Sequence, residues 1–342
     1  MEDIGPVFHI PPVYNVMEVS GTLSEFVDGG IVRSKIPERW ESTLGEGITA
    51  ATLDTGVDSA HPDLKVKDAI DFTGGKNPMD RQRHGTHVLG LGNMQHNGMV
   101  GKGICPAADM YGLKVLDDFG SGTEAAIVNA IKWCTKFKID VINMSFGSVY
   151  KSEAVLAALY EYVQGGGIPV AAAGNDGRDK SNWPAAAPFV ISVGAVDPYG
   201  RAARFSSWGD EVDIAAPGTD IVSAAPGGGA IKMSGTSMAS PNVAWTLVLA
   251  KAYHKKIGEK AKTPLRNVTD ALALLKASAQ KHPDPDTKRF GFGLVDASAM
   301  LAFNDPVAEE PPPTRLSLSV PWMGIVIEQP AAGAETLTIR KA

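Results

Sequence analysis

Ser234-Gly235-Thr236-Ser237-Met238-Ala239-Ser240-Pro241 leads into the most telling stretch of this chain. After the Gly-Thr turn, residues 237–253 are predicted as a helix, with Pro241 in its first turn, where a missing N–H does no harm. Val243, Ala244, Leu247, Val248 and Leu249 cover much of its circumference, so the helix should be buried and central. Around it lie short apolar runs with few charges, at 48–53, 110–116, 139–144, 168–173, 190–196 and 212–215. Runs of that kind suit parallel strands buried on both faces. Helical patterns fall between several of them. One is 123–137, where Ile127, Ile131 and Cys134 recur at helical spacing; another is capped by Ser152 and ends at Gly165-Gly166-Gly167. The alternation predicts an α/β fold, a doubly wound, mostly parallel sheet flanked by helices. Ligands of such sheets bind at the carboxyl ends of the strands, and Asp54 and Asn175 both follow a strand there.

Composition bounds the rest. The 342 residues are 44% hydrophobic and 20% charged, which is ordinary globular material. With 32 basic and 38 acidic residues the net charge is −6, so no electrostatic ground exists for nucleic acid as a partner. No apolar run is long enough to span a membrane. Met1-Glu2-Asp3-Ile4 is acidic and no apolar stretch follows, unlike a signal peptide, so a cytoplasmic location is expected unless the start has been trimmed. Cys105 and Cys134 are expected as reduced, buried thiols. The expected divisions are an extension at 1–35, a main domain at 36–303, and a linker with a β tail at 304–342, which includes the Pro-rich break 309–313. In the tail, Leu316, Leu318 and Val320, then Leu337 and Ile339, alternate with polar residues and suggest a small hairpin. Its use stays open between extending a sheet, forming a homodimer contact, and being trimmed.

Three separated segments present an orienting anion, a proton shuttle and a nucleophile. These are Asp54 in Leu53-Asp54-Thr55-Gly56-Val57-Asp58, His84 in His84-Gly85-Thr86-His87-Val88, and Ser237. An aspartate can hold the histidine tautomer, and the histidine can take and return the serine proton. Ser237 at a helix amino terminus would have unpaired N–H groups to stabilise an oxyanion. A G-x-S-x-G elbow is absent and the chain order is Asp, His, Ser, which disfavours the α/β-hydrolase fold. His87, three residues from His84, lacks the Glu of an H-E-x-x-H site, and a structural role is expected for it. Arg81-Gln82-Arg83 reads as a solvated loop beside His84.

These three segments resemble the signature motifs of the subtilisin-like (subtilase) serine proteases, over about residues 36–300. The resemblance implies a serine endopeptidase acting through an acyl-enzyme on polypeptides. It implies Asn175, in Ala173-Gly174-Asn175-Asp176-Gly177, as an oxyanion donor. It implies strand-like substrate binding between Gly120-Ser121-Gly122 and Ser145-Phe146-Gly147, a P1 pocket walled by Ala172 and Gly174 with Asn182 near its base, and a P4 pocket flanked by Glu124 and Ile127. Small walls predict large uncharged P1 residues, and the acid at Glu124 predicts basic or polar P4 groups. Asn242 and Trp245 depart from the family pattern at positions that concern helix packing. The family also implies structural Ca²⁺ and no organic cofactor. The matching ligands are Asp63 and the 95–101 loop, with Gln95, Asn97, Met99 and Gly101.

The leader Phe8-His9-Ile10-Pro11-Pro12-Val13-Tyr14 resembles the short extension of the intracellular subtilisins. There the extension crosses the cleft and keeps the enzyme latent, so Ile10, Pro11 and Pro12 are expected to inhibit as in a zymogen. Two other readings stand beside the broad endopeptidase. One is a processing protease dedicated to a single partner, the other a non-catalytic peptide-binding relative.

Overall fold

The computed structural model describes residues 5–19, 25–258, 261, 264–284, 287–303, 305, 317–320, 325–328 and 338–341. By internal contacts the chain divides into two units, Met1–Asp305 and Pro306–Ala342. In the first unit the strands are β1 Val7–His9, β2 Tyr14–Val19, β3 Thr49–Asp54, β4 Val66–Asp71, β5 Asp109–Lys114, β6 Ser121–Thr123, β7 Val141–Met144, β8 Ile168–Ala172, β9 Ile191–Val196, β10 Ile214–Pro217, β11 Ile221–Ala225 and β12 Gly229–Ser234. Its helices are α1 Gly29–Arg33, α2 His84–Asn93, α3 Glu124–Lys136, α4 Glu153–Gln164, α5 Thr236–Ile257, α6 Val268–Ser278, α7 Thr287–Phe290 and α8 Ala297–Phe303.

Seven strands form one parallel sheet in the order β10-β9-β8-β7-β3-β5-β4. From β3 the chain winds first to one edge and later to the other, so the sheet is doubly wound. β3, β7, β8 and β9 are buried almost throughout, because helices cover both faces. One apolar layer joins Ile127, Ile131, Val155 and Leu159 of α3 and α4 to Leu53, Ile142 and Met144. The other joins Val88, Leu89, Val243, Leu247 and Val248 of α2 and α5 to Ala50, Val141 and Val170. Each fully buried Leu or Val contributes about 1.5–3 kcal/mol, which makes α5 the mainstay of its layer. Thr123 and Ser152 cap α3 and α4, each accepting from a backbone N–H of the first turn.

The predicted strands and helices lie within a few residues of those observed, with two kinds of exception. The helix that carries Ser237 starts one residue early, at Thr236, and Pro241, its sixth residue, lies outside the first turn, as it would from either start. And β1, β2, β4, β6, β11 and β12, with α1, α6, α7 and α8, were not among the predicted elements. The second unit is a three-stranded antiparallel sheet, Ser317–Val320, Ile325–Glu328 and Thr338–Lys341, one strand more than the expected hairpin. The break 309–313, Leu316 and Leu337 lie outside the described residues. No helix among the described residues is long and apolar enough to cross a membrane. Both cysteines are unpaired and buried.

Candidate active site

β3 ends at Asp54, which is fully buried. Its Oδ1 accepts from Thr55 N at 2.7 Å and from His84 Nδ1 at 2.8 Å. A carboxylate can only accept, so the imidazole proton of that contact sits on Nδ1 and the tautomer is set. The chain can turn here because Gly56 has φ +107°, and a Cβ there would stand 2.2 Å from Pro78 O. Asp80 braces the same loop. Its Oδ1 accepts from the Thr55 hydroxyl at 2.9 Å and from Arg83 N at 2.9 Å, and its Oδ2 accepts from Thr86 N at 2.8 Å. Burial pushes the Asp80 carboxyl above the usual range.

His84 opens α2, Ser237 is the second residue of α5, and these two helices pack together. Trp245 Nε1 donates to Val88 O at 3.1 Å across that interface, and Asn242 Oδ1 accepts from Ser34. Both residues serve helix packing. Pro241 has no N–H for the carbonyl four residues back, which is that of Ser237. The Ser145 hydroxyl supplies the missing donor, 2.8 Å from Ser237 O. In return the Ser237 hydroxyl donates to Ser145 O at 3.1 Å. The hydroxyl therefore points to a backbone carbonyl, and His84 Nε2 has no hydrogen-bond partner among the described residues.

Asn175 follows β8. Its Oδ1 accepts from Thr236 N at 2.9 Å and from the Thr236 hydroxyl at 2.7 Å. Held by its oxygen, the amide turns its NH₂ outward, where Nδ2 donates to Pro12 O at 2.7 Å. Thr236 thus orients Asn175. No motif pattern singles out this role; adjacency to Ser237 was its only signal in the sequence.

Pro12 belongs to the leader, which passes between the two expected edges. β1 pairs antiparallel with β6, Phe8 opposite Gly122 and His9 opposite Ser121. On the other side His9 and Gly147 exchange two bonds, N–H to O, each of 2.9 Å. Ile10 N donates to Gly120 O at 3.0 Å. Phe8 is fully buried, edge-on to Phe146 with centroids 6.0 Å apart. His9 and Gly147 form an isolated exchanging pair, and an antiparallel ladder continued from it would set residue 11 opposite Ser145 at the next such position. Residue 11 is proline and has no N–H to give Ser145 O, the acceptor that the Ser237 hydroxyl takes instead.

Residues 45–293 match the family described as the subtilase family (Peptidase_S8). This chain belongs to the subtilase family. It is 39% identical over 238 residues to subtilisin of Bacillus pumilus, spanning 68% of this chain and 86% of that one. Subtilisin E of Bacillus subtilis (strain 168) is 39% identical over 238 residues, 68% of this chain and 62% of that protein. The alkaline protease of Shouchella clausii is 33% identical over 281 residues, 81% of this chain and 70% of that one. The chain thus spans less than two thirds of subtilisin E's length.

The other residues expected from the subtilase pattern are distributed as follows. Gly147 and Asn182 line a cleft of about 540 Å³ together with Ser148, Tyr150 and the leader. Gly174, at φ +115°, leaves 2.7 Å between an added Cβ and Asn182 Nδ2, so any side chain there would obstruct the cleft's base. Ala172 is buried in β8. Ile127 and Phe8 share one apolar cluster. Glu124 accepts from the Ser152 hydroxyl at 2.6 Å and lies beside Gly5 of the leader. His87 is buried, its Nε2 meets Ile221 O at 3.0 Å, and burial lowers its pKa to about 3, as a structural histidine requires. Arg81 and Arg83 are more than half exposed and face Asp118 and Glu18.

At the loop implied for calcium, Asp63 is fully buried, and its Oδ2 accepts from Gly101 N at 2.9 Å. Its Oδ1 has no partner among the described residues. Asn97 Oδ1 accepts from Met99 N at 3.0 Å, and the Gln95 amide donates to Asn93 O and Pro106 O. A buried carboxylate oxygen without a donor, next to hard oxygen donors, fits a cation of the Ca²⁺ type. Among the described residues no three His, Cys, Asp or Glu side chains cluster as a metal site.

Proposed function

We propose that this chain is a serine endopeptidase in which Asp54, His84 and Ser237 act in line, and that its own leader holds it latent. The observation that supports this most strongly is the Asn175 amide resting on a peptide carbonyl, that of Pro12, while both neighbouring edges hold the peptide as a strand. In the working state the Ser237 hydroxyl rotates from Ser145 O to His84 Nε2. His84 takes its proton as Ser237 Oγ attacks the substrate carbonyl, and Asp54 stabilises the imidazolium. The oxyanion is held by Asn175 Nδ2 and the Ser237 N–H at the start of α5. The leaving amine takes the proton from His84, and water then releases the acyl group by the same steps in reverse order.

Latency follows from Pro11. The leader binds through His9 and Ile10, but it lacks the N–H that would occupy Ser145 O and leave the Ser237 hydroxyl to His84. Polypeptides with large uncharged P1 residues are the proposed substrates, given the small residues Ala172 and Gly174 at the expected pocket walls. A Ca²⁺ ion held by Asp63 and Asn97 would tie the 95–101 loop to the strand ends. Chelation is then expected to lower the melting temperature of the wild type and leave Asp63→Asn unmoved.

The test is fluorophosphonate labelling of the full-length protein over time, followed by mass spectrometry. Labelling of Ser237 that rises as the leader is lost supports the reading. Equal labelling before and after leader loss removes the latency, and no labelling of Ser237 at any time removes the peptidase.

A further inference from the structure

Past Pro12 the leader continues as β2, which pairs antiparallel with β12. Tyr14 lies opposite Ser234, Met17 opposite Lys232, Glu18 opposite Ile231 and Val19 opposite Ala230. In its small sheet β12 stands between β11 and β2, so among the described residues only the leader covers its outer edge. Five of the six residues of β2 are exposed. Little apolar burial holds the strand, and backbone pairing is left as its main attachment. Tyr14 stacks on Phe205 at 5.0 Å. Further along, the Glu18 carboxylate lies 3.5 Å from Arg83 Nη1. Glu18, three-quarters exposed, lines an open cleft of about 230 Å³ together with Arg83, Pro226, Gly227, Gly229 and Ile231. Arg83 has φ +82° and its N–H donates to Asp80 Oδ1, so its backbone is held beside His84.

We propose that the outer edge of β12, ending in the Arg83 cleft, is an extended substrate site on the leaving side of the cleaved bond. It takes the chain beyond that bond as an added strand of about six residues and favours an acidic side chain at the sixth. This rests on reading the chain as a peptidase with a displaceable leader. Pro12 O occupies the place of a substrate carbonyl, so the residues after Pro12 trace where a leaving-side chain runs, and Glu18 is the sixth of them. Backbone pairing with β12 supplies affinity for any sequence, and Arg83 supplies the selection. Side chains alternate along β12, so Lys232 opposes Met17 on the face away from Glu18. Arg81 faces Asp118. Among the described residues Arg83 is the cation within ion-pair distance of Glu18.

The full-length protein is incubated until mass spectrometry shows loss of the leader. It is then given quenched peptides with one common sequence before the scissile bond. One peptide ends two residues past the bond. Two others run seven residues past it and carry Glu or Lys at the sixth. A further pair has N-methyl groups at the fifth and sixth residues. The long Glu peptide is expected to exceed the short one at least about threefold in kcat/KM, and N-methylation to remove the gain, as a lost ladder bond requires. Glu over Lys is expected to be about two- to fivefold at low salt, the range of an exposed ion pair, and to fade in high salt. Taking the ratio within each variant cancels any effect of the substitution on His84. That ratio should fall to about one in Arg83→Gln and invert in Arg83→Glu. A wild-type ratio near one, or one that Arg83→Gln leaves unchanged, overturns the site while cleavage of the short peptide keeps the peptidase. If the short peptide is not cleaved at all, both fall together.

Discussion

Replacing Pro11 by alanine restores one N–H opposite Ser145 O and leaves the other leader contacts in place. Those nearest residue 11 are two bonds with Gly147, one with Gly120 and one from Asn175. The restored donor competes with the Ser237 hydroxyl for Ser145 O. A neutral hydrogen bond contributes about 0.5–1.5 kcal/mol net, so the hydroxyl is freed toward His84 by about twofold to tenfold. Loss of the ring also loosens the unbound leader by about 0.4–1 kcal/mol, which offsets part of the tighter docking but none of the realignment. Pro11→Ala should therefore turn the leader from an inhibitor into a substrate. The assay follows intact mass after purification at low temperature, with the lag before hydrolysis of a fluorogenic protein read in parallel. Self-cleavage within residues 10–13 is expected about twofold to tenfold faster than in the wild type, with a correspondingly shorter lag. An unchanged or longer lag, with cleavage still abolished by Ser237→Ala, would refute the reasoning from register.

Three further outcomes follow. Asn175→Ala should lower kcat far more than it raises KM; the reference value for losing such a donor comes from subtilisin itself, about 10²–10³, and steady-state kinetics of the processed protein checks it. Ser145→Ala leaves Ser237 O, already deprived of a helix donor by Pro241, without its hydroxyl partner, at a cost of about 1–3 kcal/mol. Thermal unfolding should show that loss, and the double variant with Pro241→Ala should recover part of it. Asp213 accepts one bond from Ser192 N, and burial pushes its pKa up to about 6, above the unfolded value of about 3.9. Its contribution is thus fully present below about pH 4 and lost as pH rises through about 6. Asp213→Asn should be the more stable protein at pH 8, by roughly 1–3 kcal/mol, with the difference gone near pH 4 in pH-dependent denaturant unfolding.

The core of the fold was legible because strands buried on both faces spell apolar runs, and helices between them keep a 3.6-residue period. β4 escaped because it has a wet face, and β11 and β12 because each carries few consecutive apolar residues. Pro241 was read as a first-turn residue, and that reading failed because its missing N–H is the one that would bond Ser237 O. At the sixth position proline removes a real helix bond, and Ser145 is recruited to repair it. The candidate residues Asp54, His84, Asn175 and Ser237 were readable from local motifs. The bonding roles of Thr55, Asp80, Thr236 and Ser145, the last named only as a substrate edge, were not, because hydroxyl contacts to carboxylate, amide and carbonyl oxygens across the chain leave no periodic trace. Inhibition by the leader was suggested by its resemblance to the intracellular subtilisin extension, with the prolines as the proposed means. The proposed action of Pro11 on Ser145 rests on strand register, which no local pattern encodes.

A slowly deacylating ester substrate offered to the processed protein, with rapid quenching and peptide mass spectrometry, measures the proposed chemistry most directly. The account predicts one acyl group per molecule, on Ser237, formed in a burst that His84→Ala abolishes. Turnover of the ester with Ser237 never acylated, or a burst that survives His84→Ala, would contradict it.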